Sequence, residues 1–98
     1  MPIARLIFVT VAPQDATEAH RIWKDDCAPL MIKQEGCLSE ELLQAVDSPG
    51  ELISYSEWAD VEAIRRYEAS PDHAQIERHA ERLRATQPPV TKLYQVAG

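Results

Sequence analysis

The chain has 98 residues, a mass of 11.0 kDa, 45% hydrophobic residues and a formal net charge of −6. This length and composition predict a single globular domain over residues 1–98, with a thin core because so short a chain buries only about two-thirds of its unfolded surface. The acidic charge and scattered basic residues exclude a typical nucleic-acid-binding protein, which clusters Lys and Arg. No apolar run reaches the roughly 20 residues of a membrane span, and no signal-peptide cleavage pattern follows the N-terminal apolar run. We therefore expect a cytoplasmic protein without a membrane partner.

The first predicted element is a strand from Ile3 to Val11, IARLIFVTV, which is rich in β-branched and aromatic residues and is followed by Ala-Pro. Both of its alternating faces are largely apolar: Ile3, Ile7, Val9 and Val11 lie on one, and Leu6 and Phe8 on the other. A strand of this kind is typically covered on both sides.

A helical pattern begins at Asp15, with apolar residues three or four apart at Ala19, Trp23, Cys27, Leu30 and Met31. Trp23 is expected in the core. Cys27 and Cys37 are too few for a disulfide framework and are more typical of small buried hydrophobes. Pro29 should kink or split the helix because it has no N–H to donate, and Gly36 should end it.

Two further strands and two helices follow. The triplet Ser48-Pro49-Gly50 predicts the turn of a hairpin between the segment after Gly36 and the strand ELISYSEWA. Asp60 is the expected N-cap of a short helix, and Ser70-Pro71 should end that helix and begin the next. The apolar stripe of the second helix is Ile76, Ala80 and Leu83. Pro88-Pro89 should stop it, before a last strand, VTKLYQVA.

The resulting order, β-α-β-β-α-α-β, predicts an α+β fold of the ferredoxin-like type, with a four-stranded antiparallel sheet and all helices on one face. The other face, at least along the first strand, is also apolar, and the chain has no further helix to cover it. A second copy of the chain would do so, which predicts a homodimer.

Four features together resemble the antibiotic biosynthesis monooxygenase (ABM) domain of the dimeric α/β-barrel superfamily, over nearly the whole chain. They are the two-sided first strand, the segment EGCLSEEL, the strand-to-helix passage SYSEWADVEAIRRY and the motif SPDH. The resemblance implies a homodimer whose sheets pack face to face, with a pocket between sheet and helices in each subunit. It also implies a choice of activities, since such proteins include cofactor-free oxygenases of phenolic polyketides or quinols and haem-degrading enzymes.

No standard cofactor or metal motif occurs in the sequence. The glycines form no glycine-rich loop, and there is no CxxC and no histidine pair at i, i+4. His73 and His79 are six residues apart and diverge on a helix. We therefore expect no cofactor and no metal. An oxygenase without them takes its electrons from an acidic, electron-rich aromatic substrate, and it needs a base, a hydrogen-bond donor and an aromatic wall.

His73 is the candidate base, because histidine changes its charge near neutral pH and this one borders the predicted pocket. Tyr67 is the candidate donor to a substrate oxygen, and Trp58 is the candidate aromatic wall. Each also has a purely structural interpretation. His73 could cap its helix, Tyr67 could pack with its hydroxyl bonded to backbone, and Trp58 could plug the gap between sheet and helix.

Tyr55, Ile64 and Ile76 are the remaining candidates for substrate contacts. The pattern does not decide whether the strand face of Tyr55 belongs to the pocket or to the dimer interface. The convergence of Trp58, Tyr67 and His73 at one junction of strand and helix is what favours a small-molecule pocket.

These observations predict a cofactor-independent monooxygenase acting on a phenol, anthrone or quinol. The alternative is a dimer of the same fold that binds a small ligand without turnover, and a haem-binding or haem-degrading relative is the less favoured third candidate. Haem degradation is expected to be absent. The resemblance places the iron-binding histidine of haem-degrading relatives about one turn beyond His73, where this chain has Glu77, with His79 nearby. The asparagine expected on the first strand is missing, since the chain contains no Asn.

Overall fold

A computed structural model describes residues 1–97. The strands are β1 (Ile3–Thr10), β2 (Cys37–Ala45), β3 (Ser48–Trp58) and β4 (Val90–Gln95). The α-helices are α1 (Ala16–Ile22), α2 (Ala28–Ile32), α3 (Val61–Glu68) and α4 (Pro71–Ala80), with short 3-10 turns at Pro13–Asp15 and Glu81–Leu83. The strands form one antiparallel sheet in the order β2-β3-β1-β4. The predicted α+β, ferredoxin-like fold is confirmed. Among residues 1–97, no helix combines the length and apolarity that crossing a membrane requires.

The connection between β1 and β2 is a helical run that widens in its middle. A π-helical turn at Trp23–Cys27 joins α1 to α2, and the N–H of Ala28 donates to the carbonyl of Trp23, five residues earlier. Pro29 lies in the first turn of α2, where it has no N–H to offer the carbonyl of Asp25. The predicted interruption is confirmed, and it takes the form of a π-bulge, which proteins often place at functional sites.

The helical run ends at Ile32, four residues before the predicted stop at Gly36. Gly36 lies in the turn that leads into β2. Its φ of 88° is a left-handed value that favours glycine, and a Cβ at this position would lie 2.5 Å from the Cβ of Ala63. The position therefore requires glycine for two independent reasons.

The β2–β3 hairpin turns earlier in the chain than predicted. Val46 and Asp47 form the turn, and Ser48, Pro49 and Gly50 are already the first residues of β3. The prediction of a turn at Ser48-Pro49-Gly50 is wrong, because the glycine lies in a strand and allows a close backbone contact with Val11. The carbonyl of Gly50 accepts the N–H of Val11 at 2.8 Å, and any Cβ at Gly50 would collide with the Val11 carbonyl oxygen.

Both predicted helix caps are confirmed. The carboxylate of Asp60 accepts the N–H of Ala63 at 2.8 Å, and the hydroxyl of Ser70 accepts the N–H of His73 at 3.2 Å. The end of α4 differs from the prediction: the helix stops well before Pro88-Pro89, because a 3-10 turn follows it and Arg84 adopts a left-handed φ of 58°.

The two faces of the sheet have different surroundings. Arg5, Ile7 and Val9 of β1 face the helices, across a cavity. Strand alternation turns Leu6 and Phe8 to the other face, beside their β3 partners Tyr55 and Ile53. None of the helices within residues 1–97 lies on that second face, which remains apolar at its centre.

The core between sheet and helices consists of two clusters. One contains Met31, Trp58, Ala63, Ile64 and Tyr67, with Ile76 packed against it. The other contains Val11, Ala16, Ala19 and Leu52, with Val9 and Leu83 packed against it. Members of both clusters line the cavity between the sheet and the helices.

Candidate functional site

A cavity of about 820 Å³ lies between the helices and the helix-facing side of the sheet. This volume is within the range of small-molecule sites, about 300–1,000 Å³. We call it the pocket. Its walls are mainly apolar side chains from β1, β3, the helical run before β2, and α4. Residues 84–89 line one end. Its charged and polar groups include Arg5, Ser54, Tyr67, His73 and Glu77.

Tyr67 is the centre of an aromatic group that borders the pocket. Its ring stacks on Trp58 at a centroid distance of 5.0 Å, and His73 meets it edge-on at 4.9 Å. Helix capping produces this arrangement, because α3 ends and α4 begins at Ser70. The Ser70 hydroxyl donates to the carbonyl of Tyr67 at 2.6 Å and accepts from the N–H of His73. One serine thus holds the two predicted catalytic residues at a single corner.

Tyr67 is 2% exposed and lines the pocket. Burial raises the pKa of its hydroxyl well above the ordinary value of 10, and the positive charge of Arg5 opposes this effect without cancelling it. The phenol therefore stays protonated at neutral pH and can donate a hydrogen bond.

The imidazole of His73 also lines the pocket, and its side chain is 18% exposed. Its Nδ1 lies 3.3 Å from Oε1 of Glu77, one turn further along α4. The cap at Ser70 uses the backbone N–H of His73, which leaves the ring free to face the pocket. A proton on Nδ1, shared with Glu77, makes Nε2 the nitrogen available as a base.

The structure does not bring all the predicted contact residues to the pocket. Ile76 lines it. Trp58 is 0% exposed, lies behind Tyr67 and donates its indole N–H to Ser56 at 2.8 Å. Ile64 is equally buried in the same cluster. The structural interpretation of Trp58 as a plug is thus the one that its geometry supports.

Tyr55 lies on the second sheet face, opposite the pocket. It pairs with Leu6 in β1, and the alternation of β3 turns it away from Ser54 and Ser56, which face the helices. The placement of Tyr55 among the substrate contacts of this pocket is therefore corrected: it belongs to the uncovered apolar face.

Arg5 is the site residue that sequence reasoning missed. It is 5% exposed, lines the pocket, and its guanidinium carbon lies 5.6 Å from the ring centroid of Tyr67. Its Nη2 donates to Glu68 at 3.3 Å, and its Nε is buried with no partner in the described part of the chain. The signal was present: an arginine shares the strand face of Ile3 and Ile7 in an otherwise apolar segment.

Trp23 and Cys27 also line the pocket, from the π-helical turn. Trp23 was predicted in the core, but it is half-buried and its indole N–H donates to Ser54 at 3.4 Å. Cys27 is buried as predicted, and burial raises the pKa of its thiol to about 11, so it remains a neutral hydrophobe. Over residues 1–97, no three His, Cys, Asp or Glu side chains come together to hold a metal ion.

The chain has a ferredoxin-like sheet, a pocket between that sheet and the helices, and an apolar second sheet face without helices. These features define a class of small α+β domains. Within that class, the chain belongs to the antibiotic biosynthesis monooxygenase family, whose profile matches residues 2–79. The resemblance found in the sequence is confirmed. No protein with a curated description matches the chain significantly.

Solved structures share the fold at low sequence identity. Rv0793 from Mycobacterium tuberculosis is 17% identical, with a TM-score of 0.81 over 100% of this chain and 97% of its own. A candidate antibiotic biosynthesis monooxygenase from Bordetella bronchiseptica is 16% identical, with a TM-score of 0.85 over 98% and 97%. One from Deinococcus radiodurans is 17% identical, with a TM-score of 0.81 over 100% and 94%. At such identities these likenesses describe the fold alone.

Proposed function

We propose that the protein is a homodimeric monooxygenase that uses no cofactor and oxidises an electron-rich aromatic substrate, of phenol, anthrone or quinol type, with O2. The observation that carries this proposal is the corner at Ser70, where His73 and Tyr67 meet beside an apolar pocket. Membership of a family named for monooxygenases supports the same reaction class.

The chemistry requires that the substrate supply the electrons. For an anthrone, His73 removes a proton from the ring CH2 and leaves a delocalised carbanion. The carbanion reacts with O2 to form a new C–O bond, and the proton held by His73 converts the resulting peroxide anion into a hydroperoxide. Loss of water then gives the quinone. The balance is one anthrone and one O2 to one quinone and one water, with one oxygen atom of O2 in each product.

Tyr67 supports the first step of this sequence. As the carbanion forms, negative charge moves to the substrate oxygen, and a neutral phenol donor stabilises that charge. Because burial keeps the Tyr67 hydroxyl protonated, it can serve as a donor across the neutral pH range. The apolar side chains around it, such as Ile76 and Met31, limit water, which strengthens the hydrogen bond.

The homodimer is proposed from the second sheet face. Leu43, Val90 and Tyr94 are at least 40% exposed, and strand register places them on the same side as Leu6 and Phe8. An apolar face of that width is an association surface or an aggregation hazard. Face-to-face packing with a second copy would cover it, as two sheets do in a sandwich.

Oxygen uptake with 1,8-dihydroxyanthrone tests the proposal, with a protein-free reaction subtracted for autoxidation. We expect protein-dependent uptake of one O2 per anthrone, no hydrogen peroxide, and one atom of ¹⁸O in the quinone when ¹⁸O2 is used. Chelators and removal of flavin should change nothing. If the protein binds the anthrone and hydroquinones saturably but consumes no oxygen, the proposed oxidation is refuted and the ligand-binding dimer is favoured.

A further inference from the structure

We infer that the pocket selects an aromatic carboxylate bearing a ring hydroxyl, and that Arg5 binds the carboxylate. This inference rests on the proposed function only in taking the same pocket as the substrate site. It concerns which molecule binds there.

The charge on Arg5 is poorly compensated. Its side chain is 5% exposed, so water stabilises the guanidinium very little. Its carboxylate partner, Glu68, lies at 3.3 Å and is 44% exposed, so its own charge is largely screened by solvent. Nε has no hydrogen-bond partner within residues 1–97. A buried cation with one screened anion is costly unless a ligand completes its pairing.

A guanidinium presents its donors in a planar fork that matches the two oxygens of a carboxylate. Among residues 1–97, the guanidinium of Arg5 donates to Glu68 alone, through Nη2. Arg5 and His73 both contact the ring of Tyr67, at 5.6 Å and 4.9 Å from its centroid. One compact ligand head can therefore reach the cation, the phenol and the imidazole together.

The sheet wall of the pocket is mainly apolar beyond Arg5. Beyond Arg5 on the same strand face come Ile7 and Val9, and Leu52 and Leu83 extend the apolar wall. A planar ring system fits that wall. Its carboxylate would pair with Arg5, and an adjacent hydroxyl would lie at Tyr67 and His73.

Calorimetric titration with three matched probes tests this assignment: 3-hydroxy-2-naphthoate, its methyl ester and 2-naphthol. We expect the acid to bind about 10- to 100-fold more tightly than the ester, the usual value of a charged hydrogen-bonded pair. Arg5→Met should abolish that preference. Arg5→Lys, which keeps the charge and loses the fork, should retain a reduced preference.

Arg65→Met is the matched control, because Arg65 is an exposed arginine of α3 that pairs with Glu62. It should keep the full preference. Circular dichroism checks that each variant is folded, and if Arg5→Met does not fold, Arg5→Lys decides. Equal affinity for acid and ester, binding of none of the probes, or a full preference that survives Arg5→Met or Arg5→Lys would overturn the inference. If 2-naphthol binds as tightly as the acid, the ring hydroxyl and not the carboxylate accounts for the affinity. That result would also overturn the inference. Arg5-dependent binding without oxygen uptake would refute only the proposed oxidation.

Discussion

Glu40 offers a quantitative test of the packing between sheet and helices. It lies on the edge strand β2, and both of its carboxylate oxygens are buried without a hydrogen-bond partner in the described chain. Burial, and to a smaller extent the charge of Glu41, raises its pKa from the ordinary 4.5 to about 7. Glu40→Gln keeps the shape of the side chain and removes the ionisation. We predict that this variant is stabilised relative to the wild type, increasingly so as the pH rises.

The direction in which the free energy of unfolding changes with pH follows from proton linkage. The folded protein holds the Glu40 proton more tightly than the unfolded chain does, so this group favours folding fully below its unfolded pKa of about 4.5. That contribution is lost as the pH rises through about 7. One pKa unit corresponds to about 1.4 kcal/mol, which sets an upper limit of roughly 3 kcal/mol. Since Glu40 is only half-buried, solvent screening reduces the expected change to about 1–2 kcal/mol.

Urea unfolding between pH 5 and pH 8 measures this effect, at one fixed protein concentration because association contributes to the stability of a dimer. The free energy of unfolding of Glu40→Gln should exceed that of the wild type by a margin that grows by about 1–2 kcal/mol over this range. The control is Glu35→Gln, which removes one carboxylate at an exposed turn position. An equally growing margin in that variant would mean that net charge, and not the burial of Glu40, is the cause. A margin for Glu40→Gln that is constant with pH would refute the reasoning.

Three further predictions concern assembly, haem and the backbone. Light scattering should give twice the chain mass of 11.0 kDa, and Phe8→Asp should shift it to the monomer; a stable wild-type monomer would contradict the dimer. Haem should form no tight one-to-one complex, and a shifted Soret band that His79→Ala abolishes would show otherwise. Gly36→Ala should lower the free energy of unfolding by about 1–3 kcal/mol, because of its φ of 88° and the nearby Cβ of Ala63; an unchanged thermal midpoint would count against this.

Local signals were sufficient to predict most of the fold. Asp60 and Ser70 form their caps through their own side chains, and the alternation of β1 shows two apolar faces whatever surrounds it. Gly50 was misinterpreted because its role is a long-range contact with Val11, which no local pattern contains. A glycine needed for close approach looks the same in sequence as a glycine needed for a turn.

The candidate site was predictable to the extent that one short segment contains it. Tyr67 and His73 meet because two capped helices adjoin at Ser70, which the sequence shows directly. Arg5 joins them from 62 residues earlier in the chain, through a sheet register that composition and periodicity do not determine. The size and chemistry of Trp58 are typical of a pocket wall, but so large an apolar side chain is also favoured in the core. In the structure Trp58 is 0% exposed and lies in the core.

The turnover of His73→Ala tests the central claim most directly, with 1,8-dihydroxyanthrone as substrate and oxygen uptake as the measurement. We predict a fall of about 10²- to 10⁴-fold, the usual effect of losing a positioned general base. Tyr67→Phe should lower turnover less, and both variants should stay folded dimers. His79→Ala is the matched control, since His79 lies on the same helix and contacts Arg82, and it should retain full turnover. Unchanged turnover in His73→Ala would contradict the account, because the base would then lie elsewhere.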